Sequence, residues 1–145
     1  MWLHRAALIV AGVIGVGIIF IGARFLLDPA ASGAAFGVPA PTADDPFLAV
    51  KGVRDIGSGL ILLAVLALRR PGVLGWVMLA ASVIPIGDAL IVLAHGGPAY
   101  AAYGIHGATA VVGIAAAVVL ISAPAGTTSE RAGQPVPRGS AAPVH

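Results

Sequence analysis

The chain has 145 residues, of which 59% are apolar and only 10% are charged. Soluble domains carry about 25% charged residues, so this composition cannot cover a water-facing surface and predicts a membrane protein. The net charge is +2, and the basic residues are scattered apart from the pair Arg69–Arg70, which excludes a nucleic-acid-binding patch. The absence of cysteine excludes disulfides, thiolate catalysis and cysteine metal sites.

Four stretches are long and apolar enough to cross a bilayer, which takes roughly 20 predominantly apolar residues in a helix. They cover about residues 6–27, 47–68, 73–94 and 104–123. None alternates polar and apolar residues as a membrane barrel strand does. The sequence therefore predicts an all-α integral membrane four-helix bundle in residues 1–123. The remaining residues 124–145 are rich in Pro, Gly, Ser and Thr, and we expect a disordered tail.

Turn-forming residues separate the four stretches. Asp28–Pro29 is expected to end the first helix, and the prolines that follow (Pro39 and Pro41) to keep the next loop extended. The run Thr42–Pro46 is expected to cap the second helix with carboxylates, where the helix dipole is positive. Pro85 interrupts the third stretch and should free the carbonyl of Ala81, which predicts a kink.

The basic residues also predict the orientation of the chain, because cytoplasmic loops of membrane proteins carry an excess of Lys and Arg. With four spans, Arg5, the Arg69–Arg70 turn and the arginines of the tail fall on one side, and an aspartate-rich loop falls on the other. We therefore expect a multi-pass cell-membrane protein with both termini in the cytoplasm. The alternative is a cleaved signal peptide that ends near Ala31, which would leave three spans and a broken charge pattern.

Small residues are frequent in every predicted span. The glycines are Gly12, Gly15, Gly17 and Gly22 in the first, Gly57 and Gly59 in the second, and Gly107 and Gly113 in the fourth. Small residues let membrane helices approach closely, so this pattern predicts backbone contact in a compact bundle.

Ionisable residues from all four spans converge on one depth, in the half of the bundle nearest the non-cytoplasmic surface. They are Arg24, Lys51, Arg54, Asp55, Asp88 and His106. A charge near the centre of a span costs about 2.5–3.5 kcal/mol on insertion scales and usually faces the bundle interior or water. The spacing i, i+3, i+4, i+7 places four residues of the second span in one stripe, namely Lys51, Arg54, Asp55 and Ser58. If that stripe faces inward, the Arg54–Asp55 pair joins Asp88 and His106 in a charge-assisted hydrogen-bond network.

The members of this network have structural and functional interpretations. Arg54 either forms an ion pair with Asp55 or Asp88, or anchors an anion or polar substrate with its planar fork of donors. Asp88 is either a paired carboxylate or a general acid or base. His106 either donates a hydrogen bond to a loop carbonyl or shuttles protons.

Three further polar residues have simpler interpretations. The long side chain of Lys51 is expected to snorkel to the lipid headgroups. Arg24 and Asp28 are spaced i, i+4 and are expected to pair at the interface. Tyr103 is placed where an interfacial aromatic belt would lie.

Motifs for cofactor chemistry are missing from the sequence. It contains no HxxxH or HExxH spacing for a metal, no phosphate-binding Walker loop, and no GxSxG turn for a nucleophilic serine. The sequence therefore predicts no metal site and no cofactor. The charges are also too few and too one-sided for an ion path through the membrane.

Five short motifs mark the chain outside its tail. They are Gly22–Pro29, Phe36–Pro39, Lys51–Gly57, Pro85–Asp88 and Tyr103–Gly107. Together, over about residues 5–122, they resemble an uncharacterised family of small four-span integral membrane proteins that is loosely DoxX-like. The run Lys-Gly-x-Arg-Asp is their most specific element. The resemblance implies a four-helix membrane fold and no established activity; DoxX-like relatives are linked to quinone or redox-associated complexes, but no motif here transfers that role.

The leading functional hypothesis is a polar pocket, open toward the non-cytoplasmic side, that binds a small amphipathic or lipophilic ligand. The candidate catalytic residues are Asp55, Asp88 and His106, and the candidate ligand-binding residues are Lys51, Arg54, Ser58 and Tyr103. One alternative is a cofactor-independent isomerase or hydrolase in which an aspartate and His106 act as acid and base. The other is a structural accessory subunit of a membrane complex. The expected partners are membrane lipid, a lipophilic small molecule or quinone, and a second copy or a membrane-complex subunit, but no nucleic acid.

Overall fold

The computed structural model describes residues 1–38 and 45–122, and these residues form helices joined by short turns. The helices are α1 (Trp2–Leu27), α2 (Pro29–Phe36), α3 (Pro46–Ala67), α4 (Pro71–Ala81), α5 (Val83–Ala94) and α6 (Ala108–Ile121), with a π-helical segment (Tyr100–Gly107) before α6. The all-α prediction is confirmed for this part of the chain. The loop conformation expected around Pro39 and Pro41, the capping by Thr42 and Asp44, and the disorder expected in residues 124–145 lie outside the described residues.

Three helical stretches are long and apolar enough to cross a membrane, namely Trp2–Leu27, Pro71–Ala94 and Tyr100–Ile121. They coincide with the first, third and fourth predicted spans. The stretch predicted as the second span forms the 22-residue helix α3, which is not one of these three. α3 contains three charged residues, Lys51, Arg54 and Asp55, and is therefore less apolar than the other three stretches.

The outer surfaces of the long helices are covered by large apolar side chains. Those with more than half of their surface exposed include Ile9, Val13, Phe20, Val53, Leu60, Trp76, Val83 and Val111. A soluble monomer rarely exposes an apolar surface of this extent, and such surfaces mark contact with a membrane or another protein. The fold is therefore consistent with a membrane protein.

Paired glycines bring α1 and α3 into backbone contact along antiparallel axes. A Cβ atom added to Gly22 would lie 2.5 Å from the carbonyl oxygen of Gly52, and one added to Gly59 would lie 2.5 Å from the carbonyl oxygen of Gly15. Only residues without a side chain permit this approach. The predicted backbone contact is confirmed at these positions, whereas Gly17 and Gly57 face open space.

The third apolar stretch is broken in the middle, as expected. α4 ends at Ala81 and α5 begins at Val83, so the break falls three to four residues before Pro85. Proline lacks an N–H group and its ring clashes with the carbonyl four residues earlier, which is the carbonyl of Ala81. At the break, the buried Ser82 hydroxyl donates a 2.8 Å hydrogen bond to the carbonyl of Met78.

Aspartates organise the connection between α1 and α3. Asp28 ends α1, as expected, and its carboxylate accepts a 3.2 Å hydrogen bond from the N–H of Ala31, which starts the short helix α2. α2 ends at Phe36 and is followed by Gly37, which has a φ of +101°. Asp45 caps α3 by accepting a 2.9 Å hydrogen bond from the N–H of Phe47.

Two apolar clusters flank the centre of the bundle. The larger one joins α1, α3, α4 and α6 and includes Ala11, Leu62, Leu74, Met78 and Leu120. The smaller one consists of Val92, Ala101 and Ala102, with Phe36 packed against it. The candidate site lies where the two clusters meet.

Candidate functional site

A cavity of about 140 Å³ lies inside the bundle and is lined by residues from every described helix. Its walls are mostly apolar and include Ile14, Ile18, Ile21, Leu62, Met78, Ile84 and Ile105. Its polar side chains are Lys51, Asp55, Ser58, Ser82, Asp88, His106 and Thr109. The volume is close to that of an engineered apolar cavity of about 150 Å³ that holds benzene. The cavity thus has room for a group about the size of one ring.

Lys51 is the central charge of the cavity. Its Nζ atom lies 3.0 Å from Oδ2 of Asp55 and 3.6 Å from Oδ2 of Asp88, so it links α3 to α5. The ammonium group also lies over two aromatic rings, 4.7 Å from the centroid of Phe36 and 5.3 Å from that of Phe25. With only 16% of its side chain exposed, Lys51 points into the bundle. The expectation that it snorkels to the headgroups was wrong.

His106 connects the cavity to α2. Its Nε2 atom donates a 3.0 Å hydrogen bond to the carbonyl of Phe36, and the two rings pack edge to face with centroids 4.5 Å apart. Of the two alternatives for His106, the hydrogen bond to a loop carbonyl comes nearer to this contact, but the acceptor belongs to the last residue of the helix α2 and not to a loop. Its other ring nitrogen, Nδ1, lies 3.9 Å from Oδ2 of Asp88. Asp88 consequently has Lys51 on one side and His106 on the other.

The π-helical segment before α6 determines which of its side chains faces the cavity. In an ordinary α-helix, Tyr103 and His106 are spaced i, i+3 and would share a face. The wider π-helical turn, with i to i+5 hydrogen bonds, separates them, and Tyr103 is 65% exposed whereas His106 is only 8% exposed. π-helical turns are rare in proteins, and many of those that occur lie at functional sites.

The structure brings together five of the seven sequence-predicted site residues, namely Lys51, Asp55, Ser58, Asp88 and His106. Arg54 and Tyr103 are exposed and do not line the cavity. Consecutive helical residues point about 100° apart, and here Asp55 is buried and lines the cavity whereas Arg54 is exposed. Among the described residues Arg54 forms no ion pair, so the position expected for Arg54 in the network is occupied by Lys51.

Phe36 is the cavity residue that the sequence interpretation missed, because it was assigned to a loop. A signal was present: Asp28 before Pro29 and Gly37 after Phe36 form the pattern of a helix with proline at its start and glycine just past its end. The Arg24–Asp28 pair was expected and is present at 3.9 Å, but it is half exposed and lies outside the cavity.

The family model for "Domain of unknown function (DUF4267)" matches residues 15–120. The match covers most of the chain and includes every polar residue of the cavity, and the chain belongs to this family. Comparison with curated proteins and with solved structures gave no match. The family description assigns no activity, so the function has to be argued from the cavity.

Proposed function

We propose that this member of the DUF4267 family is a small four-span membrane protein whose bundle holds a pocket for a small amphipathic or lipophilic ligand. The observation that carries the proposal is the cavity of about 140 Å³, whose charged groups are grouped together rather than dispersed. Along α3, Lys51 and Asp55 come first, and Leu62 lines the wall two turns further on. A ligand with one polar and one apolar end matches this gradient, as is usual for sites with a few polar groups in an apolar wall.

The packing of α3 supports a fourth span. α3 lies antiparallel to α1, with glycine backbones in contact at two points that are seven residues apart on each helix, and α1 can itself cross the membrane. Two of its three charged side chains, Lys51 and Asp55, face the interior and neutralise each other. Its outer face presents apolar residues such as Val53 and Leu60. Charges that are paired inside a bundle are the form in which membrane spans tolerate them.

Four spans place both termini on one side, and the positive-inside rule places them in the cytoplasm. The charged end of the pocket then lies in the non-cytoplasmic half, near the ends of α1 and α5. A cell-membrane location remains a prediction from composition and charge. A quinone as ligand and a DoxX-like relationship remain predictions that belong to the resemblance.

Ligand stabilisation of the purified protein in detergent tests the pocket. Benzyl alcohol is a suitable probe because it combines one ring with one polar group. At about ten times its Kd it should stabilise the folded state by about 1.4 kcal/mol and raise the unfolding temperature. Ala81→Leu places a larger side chain in the cavity and should abolish the shift.

The matched control is Ala64→Leu, which makes the same substitution on the exposed face of α3. It should keep the ligand-dependent shift of the unmodified protein. Equal shifts in both variants would show that the probe acts on the detergent or the outer surface, and would contradict the pocket.

An enzymatic role is the second candidate, and the convergence of Asp88 and His106 on one cavity favours it. A carboxylate and an imidazole 3.9 Å apart can act as acid and base on a substrate group placed between them. The reaction class would be an isomerisation or hydrolysis that needs no cofactor. A structural accessory role, in which the Lys51 ion pairs only fix helix packing, predicts instead that no probe stabilises the protein.

A further inference from the structure

The hydroxyl groups that line the cavity have already donated their hydrogens. Ser58, Ser82 and Thr109 each donate to the carbonyl four residues earlier on the same chain segment, at 2.9, 2.8 and 2.7 Å. A hydroxyl has one hydrogen and two lone pairs. What these three groups can still offer to a ligand is therefore an acceptor oxygen.

His106 also presents an acceptor to the cavity. Since the Phe36 carbonyl can only accept, the hydrogen in their 3.0 Å contact is carried by Nε2 of His106. In the neutral imidazole the other nitrogen, Nδ1, then has a lone pair and no hydrogen. This lone pair faces Oδ2 of Asp88, which also only accepts.

Asp88 lacks a direct hydrogen bond from any of the described residues. The cationic and imidazole nitrogens that face it are Nζ of Lys51 at 3.6 Å and Nδ1 of His106 at 3.9 Å, and only 15% of its side chain is exposed. N–H···O hydrogen bonds span about 2.7–3.2 Å, so both contacts are too long to satisfy the carboxylate. A group with one donor hydrogen, placed beside Asp88 and His106, would supply the missing hydrogen bond.

Charge selects among donor ligands. Lys51 already faces both carboxylates and the rings of Phe25 and Phe36, so it has little capacity left for an anion. An anion would also meet the two carboxylates at close range. An ammonium group beside Asp88 would be attracted by the two carboxylates but repelled by Lys51 next to it. A neutral donor meets no like charge, and a cationic probe tests this choice directly.

We propose that the ligand is a membrane-soluble alcohol or phenol, whose hydroxyl donates to Asp88 while its ring or chain contacts the isoleucines of the cavity. This inference rests on the proposed pocket and specifies its ligand class. It makes the pocket a hydroxyl-recognition site rather than an anion site.

Two isomeric probes test the inference on the unmodified protein. Benzyl alcohol and anisole share one molecular formula, but only benzyl alcohol has a donor hydrogen. Dissociation constants measured by calorimetry in the same detergent should favour benzyl alcohol by about tenfold or more, since hydrogen bonds to charged groups contribute about 1.5–3 kcal/mol. Benzylamine, which is cationic at neutral pH, should bind more weakly than benzyl alcohol.

The outcomes separate the two proposals. If neither isomer binds, the pocket itself is contradicted. If both bind equally, the pocket stands and the hydroxyl inference fails, because water or nothing then bridges Asp88 and His106. Tighter binding of benzylamine would overturn the choice of a neutral donor.

A pair of substitutions locates the preference. Asp88→Asn puts an amide donor where the carboxylate was, so a ligand hydroxyl is no longer required and the preference for benzyl alcohol over anisole should fall to about twofold or less. Asp28→Asn makes the same chemical change at the exposed ion pair outside the cavity and should retain the full preference. Equal preferences in the two variants would place the hydroxyl contact elsewhere.

Discussion

Lys51 and Arg54 are separated by less than one helical turn but occupy opposite environments. Lys51 is largely buried between two carboxylates, and Arg54 is exposed on the outer face of α3. Lys51→Met would leave Asp55 and Asp88 without a cationic partner, and removing one partner of a buried pair destabilises a protein by about 3–5 kcal/mol. Denaturant unfolding in detergent micelles should show a loss of this size.

The matched control is Arg54→Met, for which we expect a change of about 0.5 kcal/mol or less, as for exposed substitutions away from special features. A larger loss for Arg54→Met than for Lys51→Met would mean that the guanidinium is the buried cation. The assignment of the central charge would then be wrong.

Sequence alone favoured Arg54 over Lys51 for the interior, and the reason for the error lies in helix geometry. The i, i+3, i+4, i+7 spacing defines a stripe, but one residue more or less shifts its centre by about 100°. The glycine contacts with α1 fix the rotation of α3, and Gly52 gave no signal in the sequence that distinguished it from Gly57. The prediction that Asp88 and His106 lie close together agrees with the cavity. It was easier to make because each is the one charged or imidazole side chain in its half of the predicted span.

At the scale of elements, the contact between α1 and α3 depends on the absence of side chains. In Gly22→Ala the new Cβ atom would meet the backbone of Gly52 at 2.5 Å, and backbone cannot move aside as a flexible side chain can. Overpacking of this kind typically costs about 1–3 kcal/mol. Unfolding of the variant in detergent should show that loss.

Gly17 on the same helix provides the control, because nothing lies within 4 Å of its added Cβ atom. Gly17→Ala should be neutral or slightly stabilising, since alanine has the higher helix propensity. Equal effects of the two substitutions would mean that α1 and α3 do not touch through their glycines.

The helices themselves were largely predictable, because length and apolar composition define them without reference to tertiary contacts. Short segments with a different backbone conformation were harder to predict. The short helix α2 was missed although its proline start and the glycine after its end could be read from the sequence. The π-helical segment, in which His106 packs against Phe36, has no counterpart in the hydropathy pattern. Pro85 did allow the break at Ser82 to be predicted, because the effect of a proline on the preceding turn is local.

The whole molecule is polarised along the helix axes. The ionisable residues of the cavity lie toward the α2 end, namely Lys51, Asp55, Asp88 and His106, whereas the larger apolar cluster with Leu74 and Leu120 lies toward the Arg69–Arg70 turn. The polar end of a ligand in the cavity would therefore point toward α2. The side of the membrane toward which the charged end of the cavity points depends on whether α3 crosses the membrane. Each additional span places the next loop on the opposite side.

Reporter fusions measure that topology directly. If α3 crosses the membrane, fusions at Ala35, before α3, and at Arg70, after it, report opposite sides, and Arg70 is cytoplasmic by the positive-inside rule. If only the three most apolar stretches cross, the two fusions report the same side and the two termini lie on opposite sides. The buried Lys51–Asp55 pair and the apolar residues Val53 and Leu60 on the outer face of α3 favour the first result, whereas the exposed Arg54 on that face favours the second. A fusion after Ile121 gives an independent count, because an even number of spans returns the chain to the side of its N-terminus.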